Sequence, residues 1–206
     1  MGVAERKERE REAMRVLILQ AAQKIFLENG YDKTSIRSIA DAIEYSPATI
    51  YLYYKDKNEI LFAIHQQGFQ KMIAAFDGLR FVPDPMDRLT EMGRYYIKFA
   101  LDNPELYNLM YVMDAPMEVL AYKKQHWQEG TDTFDALKIC IVSCIESGYF
   151  KADTQVEVIS LTIWSYIHGL MMIYLKNRMK MFEDDRDLGR IYESYALFMN
   201  LLKKNI

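Results

Sequence analysis

Residues 34–57 read Thr34-Ser-Ile-Arg-Ser-Ile-Ala-Asp-Ala-Ile-Glu-Tyr-Ser-Pro-Ala-Thr-Ile-Tyr-Leu-Tyr-Tyr-Lys-Asp-Lys57, and their punctuation predicts two short helices joined by a tight turn. Thr34 or Ser35 can cap a first helix whose apolar residues Ile36, Ile39, Ala40 and Ile43 recur three and four apart, giving it one buried face. Glu44-Tyr45 is the turn. Ser46 is a natural N-cap and Pro47 suits the first helical position, where its missing N–H costs nothing, so a second helix starts there. Ile50 supplies the buried side of that helix, while Ala48, Thr49, Tyr51 and Tyr53 offer small, hydroxylated or aromatic groups to the methyls, base edges and phosphates of a major groove. Asp56 caps a further helix. Lys55 and Lys57 flank its entry, where an ammonium group and free backbone N–H groups can share a phosphate. This is how a helix-turn-helix DNA reader is built.

The runs Ile39-Ala-Asp-Ala42, Ser46-Pro-Ala-Thr-Ile-Tyr-Leu-Tyr-Tyr54 and Lys57-Asn-Glu-Ile-Leu61, with Gly30-Tyr31 and Thr34 upstream, resemble the DNA-binding domain of TetR-family transcriptional regulators over roughly residues 12–62. That resemblance implies an all-α chain, with an N-terminal three-helix helix-turn-helix domain followed by a larger helical domain for ligand binding and dimerisation. It implies a homodimer on a palindromic double-stranded DNA operator, usually a repressor, released by a small molecule. In such proteins the residues matching Thr34, Arg37, Ser46, Ala48, Thr49, Tyr51, Tyr53 and Lys57 commonly touch DNA; Ser35, Pro47 and Lys55 complete the candidate face. One departure stands in the turn, where the family usually has Gly and this chain has Glu44; a left-handed backbone there would strain a Glu by about 1 kcal/mol.

A chain of 206 residues, half of them hydrophobic, has ample material for a core. The amino terminus is charged and lacks a signal peptide's apolar segment, and no run of about 18 apolar residues is expected, so the cytoplasm is the expected location and no membrane partner is implied. Two cysteines, Cys140 and Cys144, are too few for a disulfide framework. The net charge of -3 gives DNA binding no general support: residues 1–57 hold ten Lys and Arg against nine Asp and Glu, leaving +1 there and -4 in the remainder. Binding must rest on a local patch of Arg37, Lys55, Lys57 and the amino-terminal arginines. Residues 5–15 alternate in sign, which fits a solvated helix extension or an arm reaching backbone or minor groove.

Residues 1–57 are expected to form the DNA-binding domain and 58–206 the ligand-binding and dimerisation domain. Met14, Ile18, Ala21, Ala22 and Ile25 form the inner stripe of the first helix, which ends at Asn29-Gly30. Further helices are expected from Asp56 to about 77, from Asp84-Pro85 to Leu101 and from Asn103-Pro104, then a long helical region after Ala115-Pro116 ending near Gly148, and two last helices over about 154–180 and 185–203. No strand pattern is visible. The last two helices carry more apolar residues than one inward stripe needs, and Ile159, Ile163, Ile167, Tyr174, Ile191, Tyr195, Phe198, Met199 and Leu202 are the candidate dimer interface.

Tyr95, Tyr96, Tyr107, Met110, Tyr111, Tyr122, Trp127, Trp164, His168, Met171 and Met172 make the middle of the chain rich in aromatic and Met side chains with few polar groups. Such a set suits a pocket for an apolar or amphipathic ligand, and equally a core. The pattern Trp164-x-x-x-His168-Gly169 and the run Asn103-Pro-Glu-Leu-Tyr107 resemble the carboxy-terminal domain of one TetR subgroup over roughly 85–200, which implies the ligand-sensing fold without naming a ligand. His168 reads first as a buried hydrogen-bonding group, and His65 and His126 stand apart, so metal binding is disfavoured. Cys140 and Cys144 share a helix face among Ile139, Ile141 and Ile145 and read as packing. No phosphate loop, nucleophile elbow or carboxylate-histidine cluster supports an enzyme, and no cofactor is implied. The alternatives to a ligand-responsive repressor are a helical DNA-binding protein without ligand sensing, or a ligand-binding or interaction module that no longer reads DNA.

Overall fold

The computed structural model describes residues 2–113, 115–123, 127–183 and 188–205, and within them the regular structure is helical. In chain order the helices are α1 (Val3–Asn29), α2 (Ile36–Ala42), α3 (Pro47–Tyr51), α4 (Lys57–Gly78), α5 (Pro85–Asp102), α6 (Pro104–Tyr111), α7 (Ala115–Lys123), α8 (Gln128–Glu146), α9 (Val156–Leu175) and α10 (Leu188–Asn205). Short 3-10 turns follow α4 (Leu79–Phe81) and α9 (Arg178–Met181). The chain divides into two compact units, Met1–Gly68 with Glu105–Trp127, and Phe69–Pro104 with Gln128–Ile206. Helix α4 therefore contributes its first half to one unit and its second half to the other.

In the first unit, α1 buries Ile18, Leu19, Ala22, Ile25 and Phe26 beneath Ile36, Ile39 and Ala40 of α2 and Ile50 of α3. The charged extension is helical: α1 starts at Val3, and Arg6 pairs with Glu10 one turn on, at 2.8 Å on the exposed surface. Gly30 takes φ +80, the conformation that lets the chain leave α1 sharply. The same unit holds α6 and α7. Phe62 of α4 and Leu120 of α7 form a small cluster with Met117 and Trp127, and Met110 of α6 lies so close to α4 that a methyl built on Gly68 would stand 2.3 Å from its sulfur.

The second unit is built around α5, which packs on α8 and α9. Its start shows why it begins where it does: Asp84 accepts a 2.8 Å hydrogen bond from Asp87 N, Pro85 fills the first turn, and the Tyr149 hydroxyl donates to the Asp84 carboxylate, holding it below the usual carboxylate range. Tyr195 of α10 is buried, its hydroxyl donating to Thr90 O at 2.9 Å across the bare face of Gly93.

Three expectations change. The long helical region after Pro116 is two helices, α7 and α8, with Trp127 outside both. Helix α9 stops at Leu175 because Asn177 adopts φ +53, a left-handed residue that ends the helical ladder. And α9 is itself long and apolar enough to cross a bilayer by length and composition, since 158–175 contains no Asp, Glu, Lys or Arg. Here it is a packing helix, with Ile159, Ile163, Ile167 and Met171 buried and α5 and α8 as its neighbours.

Candidate nucleic-acid interface and ligand site

The two caps of the helix-turn-helix are made by serines. Ser35 Oγ accepts from Ser38 N at 3.1 Å while Ser38 Oγ accepts from Ser35 N at 3.0 Å, so α2 opens with a reciprocal capping box. Ser46 Oγ accepts from Thr49 N at 3.2 Å and lies 3.0 Å from Thr49 Oγ1, fixing the first turn of α3. Asp56 Oδ1 accepts from Glu59 N at 2.8 Å and caps α4, and the Glu59 carboxylate accepts from Lys55 N at 2.6 Å. Between α2 and α3, Glu44 holds φ +60, so the strained left-handed turn anticipated for a non-glycine residue is present.

These caps leave one face of α3 outward. Ala48, Tyr51 and Leu52 are exposed at positions i, i+3 and i+4, while Ile50 is buried on the other side. Arg37, Ser35, Ser46 and Lys55 are exposed around that face, and Pro47, Thr49 and Tyr53 are half-buried at its edge. Leu52 is the residue the sequence reading passed over. Its helical spacing from Ala48 was the available signal; at 75% it is more exposed than any other large apolar side chain among the described residues of this unit.

Thr34 departs from expectation. It is only 3% exposed and its hydroxyl donates to Gly30 O at 2.8 Å, so its side chain braces the α1–α2 connection from inside. Lys57 is also engaged internally: its ammonium donates to Tyr31 O at 2.8 Å and lies 4.1 Å from the Tyr31 ring centre. Tyr31 in turn donates to Asn58, and burial, then the charges of Asp56 and Asp32, push its hydroxyl up to about 12. Lys57 and Tyr31 thus lock the start of α4 to the end of α1.

The candidate ligand residues fall into two groups. In the second unit, Trp164 and His168 stand one turn apart on α9 and meet Tyr96 of α5. Trp164 Nε1 donates to the Tyr96 hydroxyl at 3.2 Å, and that hydroxyl shares a 3.3 Å hydrogen bond with His168 Nδ1. Burial holds the pKa of His168 below the ordinary 6.5. Phe134 of α8 faces Trp164 with ring centres 6.1 Å apart, and Phe76 meets Tyr95 at 6.3 Å. Met171 is buried and Met172 half-buried. In the first unit, Tyr107 and Met110 are buried, Tyr111 packs on Tyr107 at 5.0 Å, and Trp127 lies 6.1 Å from the His65 ring. The Tyr122 side chain and His126 lie outside the described residues.

The candidate dimer residues need correction. Ile159, Ile163, Ile167, Ile191, Tyr195, Met199 and Leu202 are buried within the chain itself, because they form the inner stripes of α9 and α10. Tyr174 and Phe198 are half-buried, and Phe198 stacks on Tyr166 at 3.9 Å. The most exposed large apolar side chains described on these helices are Val158 and Leu161 on α9 and Leu197 and Leu201 on α10. Cys140 and Cys144 are buried, and their mutual hydrogen bond, then burial, push the Cys144 thiol up.

Residues 18–64 match the family model described as bacterial regulatory proteins, tetR family, and residues 89–195 match the one described as tetracyclin repressor-like, C-terminal domain. The chain is 29% identical over 187 residues to the biofilm operon negative transcriptional regulator IcaR of Staphylococcus epidermidis, covering 79% of this chain and 100% of that one. The fold is shared with the fatty acid degradation regulator FadR of Bacillus halodurans, with a TM-score of 0.74 at 18% identity over 93% of this chain and 95% of that chain. It is shared also with the transcriptional regulator FadR of Bacillus subtilis, solved in complex with stearoyl-CoA, with a TM-score of 0.69 at 17% identity over 93% and 98% of the two chains.

Proposed function

The chain belongs to the TetR family of bacterial transcriptional regulators, and from that premise we propose that it is a homodimeric repressor that leaves a palindromic operator when a small apolar or amphipathic ligand binds. It works in the cytoplasm, where the chromosome is. The observation that carries the reading is the coexistence of two equipped regions in one chain. The capped α3 carries an outward face that the fold does not need, and α5, α8 and α9 bring Tyr96, Trp164, His168 and Phe134 together as a small polar cluster among aromatic rings. Repression is favoured by the negative regulator IcaR among the relatives. A long-chain acyl thioester is the first ligand to try, because a protein of the same fold holds stearoyl-CoA.

The candidate dimer face is Val158 and Leu161 with Leu197 and Leu201, and a two-fold pairing through it would give the assembly two α3 helices, one for each half-site of a palindrome. Helix α4 runs through both units, so a ligand that repacks the second unit acts on the first through α4. A coupling of about 1–3 kcal/mol, roughly 5- to 150-fold in affinity, suffices for a switch.

The test is nuclease protection of DNA flanking the protein's own gene, with wild type and Tyr51→Ala, then with stearoyl-CoA added. A protected near-palindrome, lost in the variant and lost again with acyl-CoA, is the expected result. Protection unaffected by acyl-CoA, when stearoyl-CoA is bound in a direct assay, would overturn the switch; a protein that protects no sequence and selects none from random DNA has lost its reader.

A further inference from the structure

The face that α3 turns outward is chemically narrow. From Pro47 to Leu52 the side chains are Pro, Ala, Thr, Ile, Tyr and Leu, with no amide, guanidinium, ammonium or carboxylate among them. Ile50 is buried, and Thr49 shares its hydroxyl with Ser46. What remains for a major groove is the Ala48 methyl, the Tyr51 ring and hydroxyl at 57% exposed, and the Leu52 isobutyl group at 75% exposed, all on one side of the helix. The side chains that read guanine, adenine or cytosine through paired hydrogen bonds are Arg, Lys, Asn, Gln, Asp and Glu, and α3 has none. The one base-pair feature that an apolar side chain reads in the major groove is the 5-methyl of thymine.

We propose that each operator half-site is read across α3 through thymine methyl groups, packed against Leu52 and Ala48, with the Tyr51 hydroxyl supplying the only polar contact from that helix. Arg37, the sole arginine between residues 34 and 57, stands on α2 and can address a guanine or a phosphate beside this patch without changing what α3 presents. Leu52 is free for the role because no packing within the unit covers it.

Base pairs facing α3 carry thymine on one strand or the other at two neighbouring steps of each half-site, and a cytosine, which lacks the methyl, is rejected there.

The experiment uses the full-length protein and the consensus duplex recovered by repeated selection from random-sequence DNA. Each thymine is replaced in turn by deoxyuridine, which keeps every hydrogen-bonding group and removes only the methyl. At about the worth of one buried carbon per contact, wild-type affinity falls roughly 4-fold for a single critical position and roughly 15-fold when both symmetric positions are changed. Leu52→Ala, which leaves helix content and thermal stability unchanged because the residue is exposed, becomes indifferent to uracil at one of those positions and keeps the wild-type response at the others. A consensus whose thymines all tolerate uracil overturns the proposal whatever the variant does, as does Leu52→Ala retaining the full wild-type pattern. A chain that enriches no sequence overturns DNA reading along with it, whereas an enriched sequence indifferent to uracil overturns the proposal alone.

Discussion

Leu197→Ala and Ile163→Ala separate the two apolar faces of the carboxy-terminal helices. Leu197 is 62% exposed on α10 and Ile163 is 2% exposed on α9. Truncating Leu to Ala removes three carbons, worth about 2.4 kcal/mol if association buried all of them. Because 62% of Leu197 is still open to a partner, roughly 1.5 kcal/mol per protomer is at stake, and about 3 kcal/mol for the symmetric pair. Dimer dissociation should therefore strengthen about 150-fold, while the fold of each protomer changes by less than about 0.5 kcal/mol. Ile163→Ala should do the opposite. Its side chain is already inside the chain, so its loss opens a cavity at a cost of about 2–5 kcal/mol in stability.

Sedimentation equilibrium over a range of protein concentrations gives the dissociation constant, and urea unfolding at several concentrations separates protomer stability from association. The reasoning fails if Leu197→Ala leaves the dissociation constant within threefold of wild type. It fails equally if Ile163→Ala weakens the dimer at unchanged stability, for then the buried stripe would be the interface after all.

Gly93→Ala places a methyl 2.1 Å from Tyr195 Oη and 2.5 Å from Cζ, so the whole ring must leave its site; denaturant unfolding should show a loss of about 2–4 kcal/mol, and Tyr195→Leu in the same background should recover at least about 1 kcal/mol. Glu44→Gly relieves the left-handed strain at φ +60 but makes the unfolded chain freer, so a net gain of about 0.5 kcal/mol is expected in the same assay, and none for Glu44→Ala, which keeps a Cβ. His168 binds protons less readily when folded than its ordinary 6.5, so the unfolded chain holds more protons just below that value; stability is full above pH 6.5 and declines as pH falls beneath it, and His168→Gln should flatten that part of the pH profile.

The DNA-reading half was legible because its decisive chemistry is local. Ser35, Ser46 and Asp56 each bond an amide three residues ahead, so the caps can be read without knowing what lies across the fold. The choice between Thr34 and Ser35 as the α2 cap turned on backbone shape: the sharp exit from α1 at Gly30, φ +80, sets the Gly30 carbonyl where it claims the Thr34 hydroxyl four residues on, and no residue repeat announces that. Lys57 is the same case, held by the Tyr31 carbonyl 26 residues away. The candidate dimer residues were hard to sort for a different reason. In α5 the charges Asp87, Arg88, Glu91, Arg94 and Lys98 mark the wet side, and the buried Leu89, Met92, Tyr96 and Ile97 follow from them. From 158 to 175, α9 carries no such charge, so periodicity finds apolar residues on every side and cannot say which side is inner. For α10 the repeat picked out Ile191, Tyr195, Met199 and Leu202, which are buried within the chain, because a repeat identifies burial and not what covers it.

The acid balance of the chain and the apolar face of α3 belong to one energetic design. Non-specific DNA affinity comes from cations on phosphates. Beyond the exposed amino-terminal arginines of α1, this reader has few to give, since within residues 34–57 Arg37 and Lys55 are exposed while the Lys57 ammonium is held by Tyr31, and residues 58–206 are net acidic. Contacts between methyl groups and Leu52 or Ala48 release no counterions and distinguish thymine from cytosine, so they add to specific binding alone. A reader of this kind discriminates well at modest total affinity. Modest affinity is also what lets a ligand coupled by only about 1–3 kcal/mol clear the operator, because the two half-sites need lose only a small fraction of their hold before the dimer dissociates.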